Sequence, residues 1–242
     1  MSYNPLRSQA PKRHQSGMSL LEILVALSIG FFLLTGIITV FSATRQNFTA
    51  QGQMSQLQDD QRMAMGIVTT VLQEAGFFPA PQTTTVAVAL PVAAPFTAVG
   101  QSVSGVNTAG APDTLTVRYL AGANGGDSMT DCNGKLNTTA LTVTFVNTFA
   151  INANKELTCS VNGGVQRPLV GGITGLTILF GVDSDGNGSV NQYLPAASIA
   201  ASAWPGVLSA LVTMTFQNPL AGQPGQNATI SLTRFISLMG KS

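Results

Sequence analysis

Charged residues are scarce in this sequence. Lys, Arg, Asp and Glu make up 9% of the 242 residues, whereas they form about 25% of an ordinary soluble protein. The formal net charge is +1, and no basic stripe of the kind that binds nucleic acid is present. We therefore expect no direct nucleic-acid site.

Histidine and cysteine are nearly absent. The one histidine, His14, precedes Gly17 in a stretch that we expect to be removed. A chain without histidine has no Ser-His or Cys-His nucleophile pair and no histidine ligand for zinc. Cys132 and Cys159 form no CxxC motif and lack metal-ligand spacing. These absences favour a structural protein over an enzyme.

One long apolar run contrasts with this polar background. Leu20 to Phe41 reads LLEILVALSIGFFLLTGIITVF and carries a single charge, Glu22. About 20 apolar residues in a helix cross a bilayer, whereas a secretory signal peptide has a run of about 7–15. The basic flank should stay cytoplasmic, so that the C-terminal bulk is exported. A plain signal anchor remains an alternative.

Glu22 is the residue on which the functional prediction depends. A carboxylate in hydrocarbon costs on the order of 3 kcal/mol, so it is a candidate for a functional role. It lies five residues after Gly17, in the string KRHQSGMSLLE that begins at Lys12. This string resembles the class III signal of type IV prepilins: a basic leader, Gly, an apolar residue, three more residues, then Glu. The alternative is that Glu22 snorkels to the membrane surface.

The resemblance implies processing and a role in assembly. A membrane prepilin peptidase would cut between Gly17 and Met18 and methylate the new amine on Met18, which stands where the family usually has Phe. A buried charge needs a partner. The resemblance implies that Glu22 of one subunit pairs with the amine of a neighbour.

The helix is predicted to continue beyond the apolar run, because apolar residues recur at steps of three and four. Gly76 followed by Pro79 provides a stop. The predicted buried stripe is Met54, Leu57, Ala64, Ile67, Val68, Val71, Leu72 and Ala75.

The remainder predicts a β-rich head. Five segments alternate apolar residues with threonine, as half-buried antiparallel strands do: 114–119, 141–145, 175–180, 212–216 and 230–235. Residues 80–112 predict a long surface connection with one short strand. The expected fold is α+β and pilin-like, with a long N-terminal helix packed on an antiparallel sheet.

Four segments follow from these patterns. We expect a leader over residues 1–17 and a transmembrane or filament-core helix over 18–42. An amphipathic continuation should occupy 43–76, and the globular head 77–242.

Cys132 and Cys159 are predicted to form a disulfide, because export places them in an oxidising compartment. The bond would close a loop of about 28 residues and stabilise the fold by roughly 3–4 kcal/mol. Two free buried thiols are the alternative.

A second candidate site lies in the string GVDSDGNGS from Gly181 to Ser189. Its alternating oxygen ligands resemble the start of a calcium loop: Asp183, Asp185, Asn187 and Ser189. Position twelve from Asp183 is Leu194, where an EF-hand has Glu. A tight turn is therefore the favoured interpretation, calcium is the alternative, and no other cofactor is expected.

Short segments along the chain also resemble PilW-type minor pilins of type IV pilus systems. They are 61–64, 74–77, 113–119, 131–134, 157–159, 181–193 and Trp204. Gln73 and Glu74 stand where that family often has Arg. The resemblance implies a low-abundance subunit that primes assembly with other minor pilins, meets the major pilin and sits at the filament tip. A tip adhesin is a further implied partner, with roles in motility, adhesion and DNA uptake.

The same resemblance implies a location. The protein would cross the inner membrane once, with its head in the periplasm, and then enter the pilus at the cell surface. Two other functions remain open. A minor pseudopilin of a type II secretion system shares the N-terminal signal. A signal-anchored periplasmic enzyme or sugar-binding module would need a catalytic constellation or an aromatic-lined cleft, and the sequence has one Trp.

Overall fold

The computed structural model describes residues 17–238, so the predicted leader, apart from Gly17, lies outside the described residues. Within that range a long helix, α1 (Leu20–Gln73), is followed by a short helix, α2 (Val86–Ala89), and a set of antiparallel strands. The chain divides into two compact units, one ending at Thr49 and one beginning at Ala50. We describe them separately.

In the second unit, α1 buries the stripe that the sequence predicts. Leu57, Ala64, Val68, Val71, Leu72 and Ala75 are buried, and Met54 and Ile67 are half-buried against the same core. Met65, which the spacing did not single out, is also buried. The prediction of an amphipathic helix packed on the head is confirmed.

Helix α1 ends in a turn built on Gly76. This residue has a φ of 84°, a left-handed conformation that glycine adopts without a steric penalty. Its N–H donates to the Arg118 carbonyl at 3.0 Å, so the chain leaves the helix directly onto the sheet. Of the two residues predicted to stop the helix, Gly76 follows the observed helix end at Gln73 by three residues and Pro79 by six.

The strands form two antiparallel sheets. The first has the order β1-β2-β3-β4-β5, with β1 Val103–Val106, β2 Thr114–Ala121, β3 Val143–Ile151, β4 Leu157–Val161 and β5 Arg167–Val170. The second has the order β7-β6-β8-β9, with β6 Ile173–Val182, β7 Gln192–Pro195, β8 Val207–Gln217 and β9 Thr229–Ser237. The α+β fold class is confirmed.

One hydrophobic cluster joins helix α1 to both sheets. Its members include Val68 from the helix, Phe149 from the first sheet and Phe216 from the second. Asp113, which is 4% exposed, links the sheets as well. Its Oδ2 accepts a hydrogen bond from the Ile178 N–H at 2.8 Å, and its own N–H donates to the Leu176 carbonyl at 2.8 Å.

Four of the five predicted strands lie wholly inside observed strands, namely β2, β6, β8 and β9. The segment predicted at 141–145 is displaced, because β3 begins at Val143. The connection predicted over 80–112 holds one short strand, β1, and also helix α2.

Candidate functional site

The N-terminal signal precedes the first turn of α1. Gly17, Met18 and Ser19 are exposed and outside regular secondary structure. The Ser19 carbonyl accepts hydrogen bonds from the N–H groups of Glu22 at 3.0 Å and Ile23 at 3.2 Å. Glu22 therefore lies in the first turn, where the helix dipole stabilises a negative charge.

The first part of α1 presents apolar side chains on all sides. Phe31, Phe32 and Leu20 are 71%, 80% and 77% exposed. By length and composition α1 is apolar enough to cross a membrane, with a mean hydropathy of 2.6 in its best window, a test that a signal sequence also passes. Such a surface requires a lipid or protein environment.

Hydroxyl groups in this part of the helix find their partners within it. Ser28, Thr35, Thr39 and Thr44 each donate to the carbonyl four residues earlier, at 2.8 or 2.9 Å. Such bonds allow hydroxyl groups to enter hydrocarbon without an unsatisfied donor. Glu22 is the one charged residue between Met18 and Thr44. Its carboxylate therefore differs from these hydroxyl groups, whose hydrogen bonds the helix itself provides.

The predicted disulfide is present. Cys132 and Cys159 are bonded, with their Cα atoms 6.4 Å apart, and are 6% and 0% exposed. The Cys132 N–H also donates to Asn147 Oδ1 at 2.9 Å. The disulfide thus joins the turn after Asp131 to β4, and the hydrogen bond to Asn147 joins it to β3.

A buried polar cluster that the sequence did not predict lies beside this disulfide. The Tyr119 hydroxyl donates to the Thr130 carbonyl. Glu74 Oε2 and Asn147 Nδ2 are buried and have no hydrogen-bond partner among residues 17–238. Burial raises the pKa of the Glu74 carboxyl, against a smaller lowering by the Tyr119 hydroxyl, while the negative charge of Asp127 adds to the rise.

Burial also raises the pKa of Tyr119, and the charge of Glu74 acts in the same direction. Residues as far apart as Glu74 and Asn147 are brought together only by the fold.

Arg118 forms a second buried polar feature that the sequence did not predict. It is 2% exposed, and its guanidinium donates to the carbonyls of Gln101 at 2.6 Å, Pro91 at 2.6 Å and Leu90 at 3.2 Å. It also lies 4.2 Å from the Phe96 ring centroid. Burial lowers the pKa of Arg118 to about 10, so the side chain stays charged at neutral pH.

The candidate calcium loop is organised by its own backbone. Asp183 Oδ1 accepts from the Gly186 N–H at 2.8 Å, and Oδ2 accepts from the Gly188 N–H at 2.8 Å. These bonds, that of Gly188 first, lower the pKa of Asp183. Asp185 Oδ2 accepts from the Asn191 amide at 3.1 Å. The carboxylates therefore shape the turn.

The other two predicted ligands take part in the same turn. The Asn187 N–H donates to Asp183 Oδ1 at 3.2 Å, and the Ser189 N–H donates to Asn187 Oδ1 at 2.8 Å. Across the described range 17–238, no three His, Cys, Asp or Glu side chains converge as a metal site. Calcium binding stays a prediction.

Two family models match the chain. Residues 12–38 match the prokaryotic N-terminal methylation motif, a range that includes Gly17, Met18 and Glu22. Residues 146–233 match the model of type IV pilus-assembly protein W, a range that runs from β3 into β9. No curated protein matches the chain significantly.

Proposed function

We propose that this chain, which belongs to the type IV pilus-assembly protein W family and carries the prokaryotic N-terminal methylation motif, is a minor pilin. It acts as a structural subunit of the filament rather than as an enzyme. A prepilin peptidase processes it, and it assembles with other pilins.

The observation that carries this proposal is the single charge of Glu22 in the first turn of an apolar helix. Cleavage after Gly17 frees a positive amine on Met18. In an apolar filament core neither charge is stable alone, because an unpaired buried ion costs several kcal/mol. Pairing of Glu22 with the amine of a neighbouring subunit meets both needs at once and sets the axial position of one helix against the next.

The apolar helix gives the subunit two successive environments. Before assembly it spans the inner membrane, with the head in the periplasm. After assembly the same side chains pack against the helices of the major pilin and of other minor pilins. We place the subunit at the tip, where it primes assembly and connects to an adhesin.

The first test is the mature N-terminus. We expect expression with the cognate peptidase to give a chain that begins with N-methylated Met18, measured by intact-protein mass and N-terminal sequencing. Expression without the peptidase should give the uncut chain. Pili that form normally while the subunit retains residues 1–17 would refute processing at this site.

The second test is Glu22→Ala. Removal of one member of a buried pair costs about 3–5 kcal/mol, so we expect the fraction of subunit in sheared filaments to fall at least tenfold, as a rough lower bound. Membrane insertion should be unaffected, because the apolar run is intact. Ser28→Ala is the matched control, since its hydroxyl donates to the Leu24 carbonyl of the same helix. Normal incorporation of Glu22→Ala would contradict the pairing.

A further inference from the structure

Strand β9 differs from the other three strands that lie at sheet edges. Natural proteins protect edges with short strands, proline, charge or bulges. Strands β1, β5 and β7 each have 4 residues. β5 also contains Pro168 and pairs through a bulge, and β7 ends at Pro195. β9 has 9 residues, without proline or lysine and with Arg234 as its one charged residue, and pairs with β8 in continuous register.

The hydrogen-bond pattern shows which backbone groups of β9 face outward. The Leu238 N–H donates to the Leu208 carbonyl, and the Asn218 N–H donates to the Ala228 carbonyl. These two bonds lie just beyond the two ends of β9. In an antiparallel pair, every second residue bonds to the neighbouring strand, so the two bonds show which residues of β9 bond to β8. The even-numbered residues from Ile230 to Ile236 therefore bond to β8. The odd-numbered residues direct their N–H and C=O groups away from the sheet: Thr229, Ser231, Thr233, Phe235 and Ser237.

The side chains of β9 define what would fit beside it. On the outer face, the hydroxyl of Thr233 bonds that of Thr213 at 2.9 Å, and Phe235 is 57% exposed. On the inner face, Ile236 is buried and Arg234 is exposed. Within the described part of the chain, Arg234 donates a hydrogen bond to Thr69 Oγ1 at 3.4 Å, and it retains further donors for an anion.

We propose that β9 is a docking edge that receives an extended strand of another protein, with a carboxylate placed against Arg234. The added strand would take up the outward N–H and C=O groups of the odd-numbered residues and extend the second sheet by one strand. Alternate side chains would lie beside Ile230 and Leu232 on one face and beside Thr233 on the other.

The charge of Arg234 favours a strand of another protein over a second copy of this chain beside β9. Two copies that pair antiparallel along the whole of β9 have their centre at Thr233. That register makes the two Arg234 side chains diagonal neighbours on one face, about 7–8 Å apart. Like charges at that position repel, whereas a carboxylate of a different protein attracts. The edge and its charge exist whether or not the subunit is a minor pilin, so the inference stands apart from the proposed function.

The test uses the full chain in detergent micelles and two synthetic peptides. Each peptide has the length of β9 and alternates threonine with valine, and the valine that faces Arg234 is replaced by glutamate in one and lysine in the other. Amide hydrogen exchange is measured by NMR. With saturating glutamate peptide we expect exchange at Ser231, Thr233 and Phe235 to slow by about tenfold or more. We expect the lysine peptide to bind about fivefold more weakly.

Two substitutions at one position separate the backbone from the side chain. Thr233→Pro removes an outward N–H without breaking the ladder to β8, and we expect it to abolish the protection. Thr233→Ala loses the same hydroxyl but keeps the N–H, so protection should persist. Arg234→Glu should reverse the preference, so that the lysine peptide binds more tightly.

Three outcomes would overturn the proposal. The first is that neither peptide slows exchange at the odd-numbered residues. The second is that both peptides bind equally to the wild-type chain. The third is that these amides become protected in the chain alone as its concentration rises, which would show pairing between copies.

Discussion

The ionised carboxylate of Glu74 is unfavourable in the folded protein. Its Oε2 atom is buried without a hydrogen-bond partner among residues 17–238, and the nearby charge of Asp127 is of the same sign. Both effects disfavour the ionised form. The folded-state pKa therefore lies above the unfolded value, and folding takes up protons as the pH falls towards that range.

We expect Glu74→Gln to stabilise the protein at pH 7.5 and to do so less at pH 4.5. The stability that protonated Glu74 provides is fully present below the unfolded pKa and is lost as the pH rises through the raised folded pKa. The neutral amide avoids that loss. The gain should be up to about 1 kcal/mol, because part of the carboxylate remains hydrated and screened. Denaturant unfolding of the full chain in detergent, between pH 4.5 and 7.5, measures it.

Asp59→Asn is the matched control for this prediction, since Asp59 is an exposed carboxylate on the same helix. It should change the free energy of unfolding at pH 7.5 by no more than about 0.5 kcal/mol. A Glu74→Gln protein less stable than the wild type at pH 7.5 would show that the carboxylate has a stabilising partner instead.

Among the helices and strands, those in which apolar residues recur with one strong period are predicted best from the sequence. The stripe from Leu57 to Ala75 repeats at three and four residues, and α1 buries it. Strands β8 and β9 alternate over most of their length, because one face is more exposed and the other packs on the core. The sequence of β2 alternates as well, although Thr116 and Arg118 on its polar face are also buried. The disulfide followed from the compartment and from there being two cysteines.

Elements that depend on tertiary contacts were not predicted. Strand β4 is buried at four consecutive residues, so it lacks the alternation that marks a half-buried strand. β5 and β7 have 4 residues each and contain proline, which argues against a strand in sequence. The cluster at Glu74 and the guanidinium of Arg118 have no local pattern, since their partners lie on other elements.

The segment between α1 and β1 is ordered by Arg118 from β2. This segment contains no charged residue between Glu74 and Asp113, and the carbonyls of Leu90, Pro91 and Gln101 converge on the one guanidinium. Arg118→Met would leave the Gln101 and Pro91 carbonyls without this donor, and Gln101 is buried. The Leu90 carbonyl would keep the Gly100 N–H at 2.9 Å. We expect it to destabilise the head by roughly 3–4 kcal/mol.

We expect Arg118→Met to loosen the segment around Leu90 and Pro91 under conditions in which the rest of the head stays folded. Under native conditions thermolysin should cut Arg118→Met within residues 86–99 much faster than the wild type, as measured by mass spectrometry of the fragments. Arg167→Met is the control, because Arg167 is exposed on the edge strand β5. Equal cleavage of Arg118→Met and wild type would mean that the segment holds its conformation without the guanidinium.

For the molecule as a whole, the question is whether its two sheets unfold together. The disulfide lies in the first sheet and its neighbouring turn. Trp204, the one tryptophan of the sequence, packs against Phe180 of the second sheet with ring centroids 5.1 Å apart. A single core that runs through both sheets and helix α1 predicts one cooperative transition from Ala50 onward.

Replacement of both cysteines, Cys132→Ala with Cys159→Ala, tests that cooperativity. The loss of loop closure should lower the free energy of unfolding by about 3–4 kcal/mol. Because Asp113 and the shared core join the sheets, Trp204 fluorescence should shift to a lower denaturant midpoint by the same amount as far-UV circular dichroism. Reduction of the wild-type disulfide should reproduce the shift without any substitution. If the Trp204 transition stayed at its wild-type midpoint while dichroism moved, the second sheet would be stable independently of the first, and the common core would not couple them.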